Sequence, residues 1–191
     1  MTAALELNLP DKQDWTVDDL VALPKDLRYE LIDGRLILPS PTGMHQIFGI
    51  DVALALRAHC PVGYAPVTDL SLKINNRNEP HPDVVVIKKR HLNRSPAPVG
   101  DTILAVEIIS PDSHLRDNYM KRKIYAAAGV GSYWVIDPTI DDGVVLTEYV
   151  LGDGRVYEMI STTDKIFTTQ VPYRVTIDLP ALTAERDAAL E

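Results

Sequence analysis

The chain has little of several things, and each shortage excludes a class of protein. One cysteine, Cys60, occurs in 191 residues. No internal disulfide can form, and no cysteine-based zinc cage can be assembled. No stretch approaches the roughly 18–20 consecutive apolar residues that span a bilayer. The opening MTAALELNLPDKQDW has neither the basic start nor the apolar run of a secretory signal. A soluble cytoplasmic protein is the expectation. Repeats, low-complexity tracts and linkers between two cores are missing, as is the Gly-rich strand-to-helix turn of a dinucleotide fold. An excess of basic charge is missing too: the net charge is −8, which argues against a generic nucleic-acid coat protein.

What is present suffices for a core. Hydrophobic residues make up 46% and charged residues 24% of the chain, which is ordinary globular usage. The charge is unevenly spread. Residues 73–94 carry Lys73, Arg77, Lys88, Lys89, Arg90 and Arg94 for a local balance of +4, and residues 114–125 reach +3, against −15 in the remainder. The plain reading is solvated surface. A phosphate-facing patch gains weight because both stretches flank the candidate site below.

Thr16–Leu23 (TVDDLVAL) reads as a short helix capped by Thr16, with Asp18 and Asp19 in its first turn and Pro24 at its end. Tyr29–Leu38 (YELIDGRLIL) sets Asp33-Gly34 between two apolar stretches, the signature of a hairpin. Gly43–His59 has helical periodicity, and Val67–Ile74 alternates loosely as a strand. PDVVVI (82–87) and TILAVEII (102–109) are continuous β-branched runs of the buried-strand kind. Leu115–Ala128 reads as a helix ended by Gly129, with Asp112 or Ser113 as its cap, and Ser132–Ile136 as a buried strand. Further strands fall at Val144–Leu151, Arg155–Ile160 and Tyr173–Ile177, before a terminal helix at Leu182–Leu190. This order predicts one α/β (α+β) domain over residues 1–191. A central mixed sheet is flanked by helices in a core of about 29–138, with an extra antiparallel β region over 139–191.

Two acids sit where acids are unwelcome. Asp83 opens VVVI, and Glu107 interrupts TILAVEII. A carboxylate in an apolar strand is costly unless it is paired or binds a metal. Asp83 also suits a strand-end turn after Pro82; Glu107, aliphatic on both flanks, is harder to explain that way. Carboxylates on neighbouring strands can converge on one hard cation, Mg²⁺ or Mn²⁺, which polarises a phosphate oxygen and acidifies bound water. Asp117, Lys121 and Tyr125 follow at i, i+4 and i+8, near one helical stripe. Lys121 then either makes a surface pair with Asp117 or points at the acids, with Lys123 as the competing choice on another face. Tyr133 and Trp134 read as core aromatics.

The segments YELIDG (29–34), HQ (45–46), PDVVV (82–86), VEIISPDS (106–113), D-x-x-x-K-x-x-x-Y (117–125) and AGVGSYWVIDP (128–138) occur in that order. Together they resemble the Uma-two family of putative restriction endonucleases, within the PD-(D/E)XK nuclease superfamily. The resemblance implies a restriction-endonuclease-like core, with Asp83 and Glu107 as metal ligands. The superfamily's usual lysine, two residues after the second acid, is replaced here by Ile109; the resemblance moves that role to Lys121. It makes Glu30 a third ligand or helper and gives His45 a recurrent position without a derivable role. An exposed hairpin site for Glu30 and a packed or capping role for His45 are the plain alternatives. His81 and Asp117 are candidate supporting groups.

Three functions follow as expectations. The first is a Mg²⁺- or Mn²⁺-dependent endonuclease acting on nucleic acid, chiefly DNA, and dimeric if it cuts both strands of a duplex. The second is a non-catalytic nucleic-acid-binding or protein-interaction module on a nuclease scaffold, which the lack of a separate DNA-reading module favours. The third is an α/β domain whose strand acids are merely ion-paired to Lys121 and arginines.

Overall fold

The computed structural model describes residues 12–24, 27–111, 113 and 115–189. Its elements are α1 (Val17–Leu20), β1 (Glu30–Ile32), β2 (Arg35–Ile37), α2 (Gly43–Arg57), β3 (Tyr64–Thr68), β4 (Leu72–Lys73), β5 (Val84–Lys88), β6 (Ala97–Pro98) and β7 (Thr102–Ile108). A π-helical segment (Arg116–Lys121) runs into α3 (Arg122–Ala128). There follow β8 (Ser132–Asp137), β9 (Val145–Leu151), β10 (Tyr157–Thr163), β11 (Ile166–Thr169), β12 (Val175–Asp178) and α4 (Leu179–Ala188).

The centre is a six-stranded sheet in the order β10-β9-β8-β7-β5-β3. β7 and β8 pair in parallel and every other neighbour is antiparallel. A parallel pair needs a crossover, and the helix of residues 116–128 supplies it. The expected mixed α/β sheet is therefore the fold.

The β-branched runs are apolar throughout because alternate residues enter two different cores. Val84, Val86, Leu104, Val106, Trp134 and Ile136 face Phe48, Val52 and Leu56 of α2, with β11, β12 and α4 beyond. Val85, Ile87, Ala105, Tyr133 and Val135 face Tyr125 and Ala126 of α3. Tyr133 and Trp134 are both fully buried, the latter edge-on to Phe167.

Several sequence expectations shift. The strand expected over Val67–Ile74 is broken: β3 ends at Thr68, Asp69 takes a left-handed φ of 52°, and β4 holds two residues. The first helix stops at Leu20, with the Asp19 carboxylate accepting from the Thr16 amide and hydroxyl. The terminal helix begins at Leu179, capped by Asp178, earlier than Leu182; Leu190 lies outside the described residues. β11 was not foreseen. The hairpin is as expected, its turn made by Asp33 (φ 48°) and Gly34 (φ 76°). A Cβ on Gly34 would meet only the tips of the exposed Asp14 and Arg77 side chains, which can move aside, so it is the positive φ that favours glycine here. Among the described residues no helix is long and apolar enough to cross a membrane.

Candidate active site

The antiparallel register of β5 and β7 pairs Val84 with Val106. One step further brings Asp83, just before β5, opposite Glu107 on the face covered by the 116–128 helix. Both acids line an open cavity of about 320 Å³. Glu30, His45, His81, Asp117 and Lys121 line the same cavity, so it gathers every site residue expected from the sequence.

Lys121 is the hub. Its ammonium donates to Glu30 Oε1 at 2.7 Å and Glu107 Oε2 at 2.8 Å, and lies 3.4 Å from Asp117 Oδ1. Lys121, Glu107, Asp117 and Glu30 are each no more than 3% exposed. The surface Asp117–Lys121 pair allowed by the sequence is thus a buried one. Glu30 is not at an exposed hairpin position: its Oε1 also accepts from the His81 amide at 2.9 Å. Lys123 is not the site lysine, because its ammonium sits 4.2 Å over the Tyr119 ring.

The π-helical segment sets this geometry. Widened turns of this kind are frequent at functional sites. Here the Tyr133 hydroxyl donates to the Asp117 carbonyl at 2.6 Å, a side-chain insertion into the helical ladder. Ahead of it, Ser113 Oγ accepts from the Ser110 amide at 2.9 Å, and the Ser113 carbonyl accepts from the Asp117 amide. Asp112, the other candidate cap, lies outside the described residues.

Asp83 does not bond to Lys121. Its Oδ2 accepts from the Ile108 amide at 2.6 Å and lies 3.3 Å from His45 Nε2, which is also 3.0 Å from the Ile108 carbonyl. Thr42 caps α2, its hydroxyl accepting from the His45 amide, so His45 sits in the first turn and reaches across to β7.

The charges are unbalanced. Glu30, Asp69, Asp83, Glu107 and Asp117 share the pocket with Arg28, Arg116 and Lys121, five acids to three permanent cations. Burial pushes the Glu107 carboxyl well up; Lys121 opposes this, and Asp117, Asp83 and Glu30 add to it. Burial alone would pull Lys121 down, but Glu107, Glu30 and Asp117 outweigh it and hold its ammonium well above the ordinary lysine range. For His45 burial likewise opposes the charge, and the Asp83 carboxylate prevails, so the imidazole is raised.

The sequence reading missed four participants. The Tyr125 hydroxyl donates to Glu107 Oε1 at 2.9 Å; its place in the i, i+4, i+8 stripe was the available signal. Arg116 Nε lies 3.4 Å from Asp117 and 3.7 Å from Glu30. Arg28 and Asp69 form a pair at 3.1 Å, with His81 Nδ1 3.6 Å from Asp69. No local pattern links these last residues. The expected basic stretches contribute less than supposed. The pocket's permanent cations are Arg28, Arg116 and Lys121, whereas Lys88 and Arg90 turn to Asp101 and Arg77 to Asp14.

A divalent ion fits this donor set. Asp83 and Glu107 offer carboxylates beside the Ile108 carbonyl, all hard oxygens, and the surplus of acid over base calls for positive charge. Among the described residues no three acid, imidazole or thiol side chains form a ready cage. Magnesium, however, is commonly held through one or two carboxylates with several waters.

A six-stranded mixed sheet flanked by helices, its one parallel pair joined by a crossover helix, is the fold of a solved relative described as a nuclease. The crystal structure of a "putative nuclease belonging to DUF820" from Anabaena variabilis ATCC 29413 shares it, with a TM-score of 0.66 and 17% identity over 90% of this chain and 98% of that one. The chain belongs to the Uma2 family, described as "Putative restriction endonuclease", whose sequence profile matches residues 17–158. No curated protein matches it.

Proposed function

We propose that the chain is a divalent-metal-dependent endonuclease that hydrolyses phosphodiester bonds, with DNA as its substrate and Mg²⁺ or Mn²⁺ as its cofactor. The observation that carries this reading is the 2.8 Å contact between Lys121 Nζ and Glu107 Oε2 in a cavity that also holds Asp83. Asp83, Glu107 and the Ile108 carbonyl would hold the ion, which supplies Lewis-acid charge for a phosphate oxygen and for the attacking water.

The remaining work falls to the chain's own groups. Lys121, kept charged by its acids, donates a hydrogen bond toward a developing oxyanion or orients the water. Glu30 and Tyr125 fix the amine and Glu107 in position. Arg116 and Arg28 give the pocket wall positive charge for the phosphates on either side of the scissile one. One such site per chain cuts one strand, so cleavage of a duplex calls for a homodimer.

One observation favours a second reading, a non-catalytic module on the same scaffold. Both Glu107 oxygens already accept hydrogen bonds, from Lys121 and Tyr125, which satisfies the acid without a metal. The test is cleavage of single-stranded DNA, duplex DNA and RNA with Mg²⁺ or Mn²⁺. Under the proposal Asp83→Ala, Glu107→Gln and Lys121→Met, each shown to be folded, lose about 10²–10³-fold in rate. Wild-type protein that binds but cleaves none of the three substrates would leave the second reading standing.

A further inference from the structure

The cavity that holds Asp83 and Glu107 has an apolar side as well as a charged one. The segment joining β2 to α2 contributes Leu38, Pro39 and Pro41, and α2 contributes Ile50. These side chains are open to solvent: Leu38 is 46% and Ile50 53% exposed, and both prolines are exposed. Single apolar residues are scattered over any protein surface. Here four of them gather at one concavity, the one that also holds the acids.

This apolar side is fixed in place. Thr42 caps α2 directly after Pro41. α2 then meets the sheet at Gly49, where an added Cβ would lie 3.9 Å from the Asp83 carbonyl, so Ile50 stands next to the helix's contact with Asp83. Pro39 and Pro41 have no side-chain rotamers to lose when a ligand packs on them. Gln46, four residues before Ile50, also lines the cavity, and its amide has no hydrogen-bond partner among the described residues. Positive charge is sparse by comparison. Lys121 is only 2% exposed and is held by Glu30 and Glu107, which leaves Arg28 and Arg116 to face a phosphate.

We propose that the cavity takes one unpaired nucleotide, so that the substrate class is single-stranded nucleic acid. The base packs on Leu38, Pro39, Pro41 and Ile50 with Gln46 at its polar edge, and its phosphate lies against Arg28 and Arg116. Duplex binding draws its strength from many neutralised phosphates, which two cations do not supply. A base inside a duplex also keeps its apolar face in the stack, whereas an unpaired base offers that face to an apolar wall. A volume of about 320 Å³ lies at the small end of ligand sites and suits one nucleotide rather than a base pair. That the ligand is nucleic acid rests on the nuclease reading; the preference for an unpaired strand comes from the apolar wall.

Affinity is measured with the full chain by the anisotropy of a labelled DNA 12-mer, single-stranded or annealed to its complement. Ca²⁺, which takes the same oxygen ligands, replaces Mg²⁺. The single strand is expected to bind about tenfold more tightly than the duplex. Leu38→Gln and Ile50→Gln, which leave the net charge unchanged, should each weaken single-strand binding about fivefold. Ile166→Gln, at an exposed position that does not line the cavity, should change it by less than about twofold. A strand carrying 5-iodouracil should crosslink within residues 37–50. No binding of the single strand, duplex affinity equal or greater, unchanged affinity in both folded variants, or crosslinks confined to other segments would overturn the proposal. So would competition by deoxyadenosine monophosphate as strong as by the strand, which would reassign the cavity to a free nucleotide. Cleavage is assayed separately with Mn²⁺. A protein that cuts only the duplex keeps the nuclease reading and loses this inference; one that grips the single strand as expected and cuts nothing does the reverse.

Discussion

Glu30 and Lys121 stand 91 positions apart in the chain and 2.7 Å apart in the fold. The contact joins the β1–β2 hairpin, which lies outside the central sheet, to the helix that crosses it. Paired main-chain bonds between Leu31 and Glu79 hold the hairpin to the segment ahead of Asp83. The pocket's acids, the amine and the hairpin therefore form one unit, closed by a charge with almost no access to solvent.

Removing the hub of that unit strands its acids. Lys121→Met keeps the length of the side chain but leaves Glu107, Glu30 and Asp117 buried without their counter-charge, at a cost of about 3–5 kcal/mol. Urea denaturation measures it. Adding Glu107→Gln should recover part of the loss, since the two residues share one network. Strict additivity of the two substitutions would show that they do not interact.

Tyr125→Phe isolates a single hydrogen bond, because only the hydroxyl donating to Glu107 is lost. A bond to a charged group is worth about 1.5–3 kcal/mol, and the same denaturation experiment should find that difference.

Metal binding should register in stability before any cleavage is sought. Mn²⁺ at 100 times its dissociation constant adds about 2.7 kcal/mol to a folded state that alone binds it. Thermal melts with and without the ion should show the rise in the wild type and none in Asp83→Ala. An equal rise in both would place the ion elsewhere.

Alkaline titration sorts the tyrosines. Burial, chiefly, raises Tyr125, Tyr133 and Tyr157 above the ordinary 10.0. The Lys123 ammonium lowers Tyr119 below it. A raised folded value means that the stabilisation is complete below the unfolded value and declines as pH climbs past it. Absorbance at 295 nm should show Tyr119 ionising first, and the three buried rings releasing their protons only as the protein unfolds above about pH 10. Lys123→Ala should move the first step upward.

Acid exposes the opposite linkage at Asp101. Hydrogen bonds from Lys88, then His91 and Arg90, hold its carboxyl well below 3.8. A depressed folded value means that the stabilisation is present above 3.8 and fades as pH falls below it. Melting temperatures between pH 5 and 2 should fall less steeply in Asp101→Asn than in the wild type.

Much of the site could be read from residue type and spacing. Glu107 stood out because an acid between Val106 and Ile108 in a β-branched run has no ordinary use, and the i, i+4, i+8 stripe pointed Asp117, Lys121 and Tyr125 the same way. Other features depend on contacts that no local window contains. The surplus around Lys88 and Arg90 looked free because its neutralising partner, Asp101, lies eleven residues or more further on. The strand break at Asp69 follows from a left-handed residue paired with Arg28 and His81, and none of these is a Gly or Pro that would announce a turn. β11 is a four-residue piece whose partner, β12, makes it a strand. The π-helical turn leaves no trace in a periodicity count that assumes 3.6 residues per turn.

That turn makes the length of the chain as consequential as its composition. Between the Asp117 carbonyl, pinned by Tyr133, and the amine of Lys121, the spacing is fixed by a wider coil than the ordinary one. Deleting a single residue such as Asn118 would let the segment close to α pitch, and the Tyr133 hydroxyl would lose its place on the Asp117 carbonyl. Every charged side chain of the cavity would remain in the sequence, yet one buried hydroxyl would be left without its acceptor.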